Sequence, residues 1–201
     1  MTNDAMTNDA MTQLPMNKFQ VSSFKDQGTR PGRKSLVLIQ VANQTRRRVA
    51  GAYLQGHLQN VLGLQKVRGG EWAITVVGDR AMAALHERAM NLATTTDVLT
   101  FDLRDRGGTS ELDLDTVICI DEAARRAREL GHSVQEELLL YAIHSLLHVC
   151  GYDDVTAHQA ARMHRREDAI LLALGVGPVF AKRSSKAGGE ARAKRASRSG
   201  R

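Results

Sequence analysis

A chain of 201 residues with 42% hydrophobic and 25% charged content can bury one sizeable core, and none of its apolar runs approaches the roughly 20 residues of a membrane-spanning helix. Two cysteines, Cys119 and Cys150, exclude a disulfide framework, and the opening MTNDAMTNDAMTQLP has neither the basic start nor the apolar stretch of a secretory signal, so the cytoplasm is the expected compartment. The net charge of +6 is unevenly spread: residues 181–201 carry eight lysines and arginines against Glu190, which leaves the preceding 180 residues near neutrality at −1.

Residues 1–33 are expected to be disordered, and their direct repeat of MTNDA is too brief for a solenoid unit. Order begins near residue 35, where SLVLIQVAN reads as a strand. Residues 45–62 suit a helix with Val49, Tyr53, Leu54, Leu58 and Val61 on one side. EWAITVVG (71–78) is a second strand, and Asp79 is the expected N-cap of a helix reaching Met90, with Met82, Leu85 and Ala89 inward. DVLTFDL is a short third strand, the Gly-Gly of 105–110 marks a loop, and LDLDTVICI (112–120) is a fourth strand. Asp121 is expected to cap a helix that Gly131 ends. Ser133 and Glu136 form a capping box that opens the next helix, and a last helix spans 157–174.

The order β-α-β-α-β-β-α-α-α predicts an α/β (α+β) domain over 34–177, a four-stranded mixed sheet packed with helices. Strands three and four lack an intervening helix, so one antiparallel pair is expected. Residues 178–201 form an expected disordered basic tail, suited to releasing counterions from RNA or simply to solubilising the chain.

Leu138, Leu139, Leu140, Ala142, Ile143, Leu146, Leu147 and Val149 make the helix at 133–150 apolar nearly all round, which predicts a central, buried position. His144 and His148 stand four apart on one face of it, close enough for both imidazoles to reach one metal ion. Gly151 permits a left-handed helix end, after which Asp154 can return a carboxylate as third ligand. His158 is a less well-spaced substitute. An i, i+4 histidine pair is often plain surface or core, but two imidazoles in so apolar a helix are costly without partners. The general base of an H-E-x-x-H protease is missing, because that position is Ser145.

These residues resemble the YbeY family of metal-dependent endoribonucleases. The family motif H-G-x-L-H-L-x-G-Y-D-H is matched by HSLLHVCGYDD (144–154), and T-[DN]-V-L-[ST]-F stands intact as TDVLTF (96–101). The family strand G-[DE]-I-x-I-C is echoed at 114–120, and Met163, Glu167, Ile170 and Leu171 match its M-x-x-x-E-x-x-I-L helix. The resemblance implies a Zn²⁺-dependent, single-strand-specific endoribonuclease acting in small-subunit ribosomal RNA maturation and ribosome quality control. Its implied partners are ribosomal RNA, the small ribosomal subunit and a ribosome-assembly GTPase. His144, His148 and Asp154 would hold one Zn²⁺ per chain, with no catalytic group identified beyond the metal's water.

Thr96 and Asp97 then become substrate-side candidates at the edge of the cleft, although as a helix-to-strand cap they also make structural sense; Ser145 is a third. Glu167 is a candidate for orienting a ligand histidine, or sits at an exposed rim. Three departures stand out: Asp154 replaces the family's third histidine, Ser145 its glycine, and Met90 an arginine thought to meet substrate phosphate. Arg88 would point elsewhere, so compensating charge is expected from Arg125, Arg126 or the tail. Cys119, Cys150 and Trp72 are expected in the core, and His57, His86, His132 and His164 on the surface. The rival readings are a ribosome-assembly or RNA-binding protein with a mainly structural metal, and a metalloprotease.

Overall fold

The computed structural model describes residues 36–92, 94–104 and 111–179. The expected N-terminal segment 1–33, the Gly-Gly loop at 105–110 and the basic residues 181–201 lie outside them. Along LDLDTVIC, Leu112, Leu114, Thr116 and Ile118 are buried while Asp113 is exposed. That period of two makes the segment a strand with one face in the core. It is β4 (Leu112–Cys119), and with β1 (Leu38–Asn43), β2 (Gly70–Val77) and β3 (Val98–Asp102) it forms one sheet in the order β1-β2-β4-β3. β1 and β4 each run parallel to β2, and β3 runs antiparallel to β4, with Thr100 opposite Thr116. The sheet is therefore mixed, as the missing helix between the last two strands requires.

Five helices complete the order: α1 (Gly51–Leu64), α2 (Asp79–Met90), α3 (Ile120–Leu130), α4 (Val134–Val149) and α5 (Ala157–Ala173). Gln55 and Gln59 of α1 donate to the Ile39 and Val37 carbonyls at 3.0 and 2.8 Å, occupying one acceptor on the edge strand β1 and one just before it. The chain divides after Gly151 into two compact units. The first holds the sheet and α1–α4. Its core includes Trp72, Ile74, Leu114, Ile118 and the run of α4 from Glu137 to Leu147, so α4 is buried as its composition predicts. In the second, α5 opens on a capping box of Thr156 with Gln159 and carries one buried stripe, Met163, Glu167, Ile170 and Leu171.

Three helix starts differ from expectation. α1 begins at Gly51 rather than 45, because the Asn43 side chain organises the preceding residues itself. Its Oδ1 accepts from the Thr45 amide and hydroxyl at 2.9 and 2.8 Å, and its Nδ2 donates to the Arg47 carbonyl at 2.8 Å, a turn that competes with helix. Asp79 and Asp121 are not the N-caps of their own helices. Asp121 instead accepts from the Asp79 amide at 3.0 Å, and so serves the start of α2 from α3.

Candidate metal centre

α4 has both ends fixed. At its start the Ser133 Oγ accepts from the Glu136 amide at 3.2 Å, and the Glu136 carboxylate accepts from the Ser133 amide at 2.6 Å. Cys150 follows its last turn, and Gly151 at φ +86° closes it in the left-handed region. Arg104, just past β3, donates Nη2 to the Val149 carbonyl at 3.0 Å while gripping Asp102 through Nε and Nη2 at 2.8 and 2.6 Å. Burial opposes the charged guanidinium, but the Asp102 bond outweighs it and raises the Arg104 pKa. This cation at the negative end of α4 has no motif to announce it in the sequence.

On that fixed helix His144 is buried and His148 partly so. Their Nε2 atoms lie 3.1 Å apart, with ring planes at 84°. Two nitrogens on one tetrahedral Zn²⁺ stand about 3.3 Å apart at ordinary bond lengths. The pair therefore fits a shared ion. Asp154 completes the group: one ligand atom from each of His144, His148 and Asp154 lies within 4.8 Å of the others. Among the described residues this is the one such group of three His, Cys, Asp or Glu side chains. Three donors of N, N and O type suit a divalent cation such as Zn²⁺.

The other candidates fall in various places. Asp97 Oδ1 accepts from the Val98 amide at 2.9 Å and from the Thr96 hydroxyl at 3.1 Å, and the Asp97 carbonyl accepts from the Cys119 amide at 2.8 Å. Thr96, itself buried, and Asp97 thus organise the entry to β3, the structural role that the sequence allowed. Ser145 is wholly buried, with its hydroxyl bonded to Thr100 and Thr116 on the sheet, so it faces the core rather than a substrate. Glu167 is fully buried and sits at no rim.

Arg125 pairs with Asp79 and Glu122, and Arg126 with Glu122 and Glu129, so both cations are already neutralised. Cys119 and Trp72 are core residues, but Cys150 is exposed, because it follows the last turn of α4. His86 is buried and bonds the Thr94 carbonyl at 2.7 Å, and His132 bonds the fully buried Glu137. Neither is the surface residue expected. Glu137 escaped the sequence reading because it adjoins the solvent-facing capping residue Glu136. Its spacing is the missed signal: Glu137, Tyr141, His144 and His148 stand at i, i+4, i+7 and i+11, one polar stripe along α4. Burial, then the Glu137 charge, pushes the Tyr141 phenol above its ordinary range.

A family model described as "Endoribonuclease YbeY" matches residues 39–175. The Endoribonuclease YbeY of Moorella thermoacetica is 36% identical over 129 residues, covering 59% of this chain and 83% of its own. That of an Anaeromyxobacter species is 42% identical over 106 residues, covering 53% of this chain and 55% of its own. The solution structure of TM1509 from Thermotoga maritima aligns with a TM-score of 0.46 at 19% identity, covering 67% of this chain and 89% of that one. With the family model spanning more than half of the sequence, from β1 to the end of α5, the chain belongs to the YbeY endoribonuclease family.

Proposed function

We propose that this chain is a Zn²⁺-dependent, single-strand-specific endoribonuclease that acts in the cytoplasm on small-subunit ribosomal RNA, in its maturation and in ribosome quality control. The observation that carries the reading is the convergence of His144, His148 and Asp154 at one point in a chain of this family. Three protein donors match the ligand count of catalytic zinc sites, whereas structural sites close with four. When bound, the ion supplies an activated water and neutralises charge building up on the scissile phosphate.

The chain's own residues supply position and charge. α4 presents both imidazoles from a buried, capped helix, so little reorganisation is needed on loading. Asp154 brings a negative charge where the family pattern has a histidine, which lowers the acidity the ion can confer. Met90 stands at the position of the family arginine, and Arg104, Arg125 and Arg126 are each paired with a carboxylate, so in this reading the charge that meets RNA phosphate falls mainly to the ion. The small ribosomal subunit and a ribosome-assembly GTPase are the partners of this reading.

Cleavage of a single-stranded ribosomal RNA fragment by wild type and by His144→Ala, with folding checked by circular dichroism and zinc by elemental analysis, tests the proposal. Chelator-sensitive cutting by wild type alone is expected. Zinc-loaded wild type that cuts nothing would overturn it. That result would favour the second reading, an RNA-binding assembly factor with a mainly structural metal, which Met90 supports.

A further inference from the structure

Beside the histidine pair, and separate from it, runs a chain of buried polar side chains. Trp72 Nε1 donates to Thr116 Oγ1 at 2.9 Å, Thr116 Oγ1 bonds Ser145 Oγ at 2.7 Å, and Thr100 Oγ1 donates to Ser145 Oγ at 3.0 Å. Trp72 lies on β2, Thr116 on β4 and Thr100 on β3, three neighbouring strands of the sheet. All four residues are buried, and Trp72 and Ser145 have no exposed surface at all. Most of the other buried side chains of α4 are aliphatic, and aliphatic packing is non-directional and tolerates small slides and rotations. Hydrogen bonds have preferred lengths and angles, and in a low-dielectric interior a broken one is costly. Ser145 thus ties the buried middle of α4 to β3 and β4 by directional bonds.

It is also the residue next to His144 and three before His148. We propose that Ser145, held by Thr100 and Thr116, is a positioning residue for the metal centre: it locks α4 on the sheet so that the two imidazoles face each other at metal-binding separation. This rests on the metal reading above. Ser145 itself touches neither ion nor substrate. Its effect reaches the site through the backbone of one helical turn, and metal sites lose affinity when their supporting shell loosens by fractions of an ångström.

Co²⁺ binding to the full chain, followed by chelator competition and by the visible absorption of the bound ion, tests the inference without recourse to activity. Ser145→Ala is expected to weaken Co²⁺ binding about tenfold and to alter the absorption bands, at a temperature where circular dichroism shows it folded. Leu139→Val, a core truncation on the same helix, is expected to lower stability while leaving affinity and spectrum as in wild type. The double variant Thr100→Val/Ser145→Ala, which removes the orphaned Thr100 hydroxyl, is expected to regain stability but not affinity. Thr100→Val alone, which keeps the serine, gives a smaller loss in the same direction and decides the matter if Ser145→Ala does not fold. Wild-type affinity and spectrum in the folded Ser145→Ala protein would overturn the positioning role and leave the metal reading intact. A wild type whose Co²⁺ binding is absent, or survives His144→Ala, would remove both.

Discussion

The Arg104 guanidinium spans the end of β3 and the end of α4, donating to Asp102 at 2.6 Å and to the Val149 carbonyl at 3.0 Å. The second of these bonds satisfies one of the orphan carbonyls of the helix terminus and places positive charge at the negative end of its dipole. With both partners about a third exposed, screening reduces the pair's contribution, so Arg104→Ala is expected to cost about 1 kcal/mol in urea unfolding. Arg104→Lys should cost nearly as much, because a single ammonium cannot hold both carboxylate oxygens and the carbonyl at once. A lysine variant as stable as wild type would show that charge alone, not the fork, is what matters there.

Arg125 grips Asp79 through two bonds of 2.7 and 2.8 Å, joining α3 to α2. The arginine holds the Asp79 carboxyl below the usual carboxylate range, against the upward push of burial. A folded-state pKa below the unfolded one means that the pair's stabilisation is complete above the unfolded value near 4 and is lost as pH falls through the lower folded value. Asp79→Asn is therefore expected to lower the melting temperature at neutral pH, and the difference from wild type to shrink progressively as the pH falls below the unfolded value. Side chains 42% and 43% exposed limit the neutral-pH cost to under about 1 kcal/mol. Melting curves for the two proteins across that range check both the size and the sign.

The two cysteines differ in kind. Burial pushes the Cys119 thiol up to about 11, the Asp79 carboxylate beside it adding to the rise, whereas Cys150 is exposed after the last turn of α4. Only the thiolate attacks alkylating reagents. Iodoacetamide at about pH 8 is expected to modify Cys150 within minutes and to leave Cys119 untouched until the protein is denatured. Peptide mass spectrometry reads both sites, and early labelling of Cys119 would mean that β4 opens far more readily than its burial implies.

Local signals in the sequence map onto local structure. Ser133 and Glu136 form the capping box they spell, Gly151 adopts the left-handed end, and the aliphatic ring around α4 buries it. The spacing of His144 and His148 is a property of one helix, so their proximity is legible without knowing the fold. What the sequence hid is relational. Asp121 serves the amide of Asp79 across 42 positions, Arg104 reaches α4 across 45, and Ser145 meets hydroxyls 29 and 45 positions away. Composition treats an aspartate before a helix as that helix's cap and a serine in an active-site motif as substrate-facing. Which neighbour a short polar side chain finds depends on strand order, and strand order is set by the whole sheet.

Glu137 was hidden for a different reason, its place beside the capping residue Glu136, and it carries the largest stability effect expected here. Its side chain has no exposed surface, and it bonds His132, whose side chain is 12% exposed, in the turn between α3 and α4. A buried carboxylate deprived of its hydrogen-bond donor keeps its desolvation cost and loses the interaction that offsets it. His132→Ala is accordingly expected to destabilise the protein by about 3 kcal/mol, and Glu137→Leu by less, since leucine suits a helix otherwise aliphatic at that depth. The double variant His132→Ala/Glu137→Leu should be more stable than His132→Ala alone, because no charge is then left buried. Denaturant unfolding of the four proteins closes the thermodynamic cycle. Additive losses, with the double variant the least stable of the four, would mean that water reaches Glu137 and that the pair contributes no more than a surface contact.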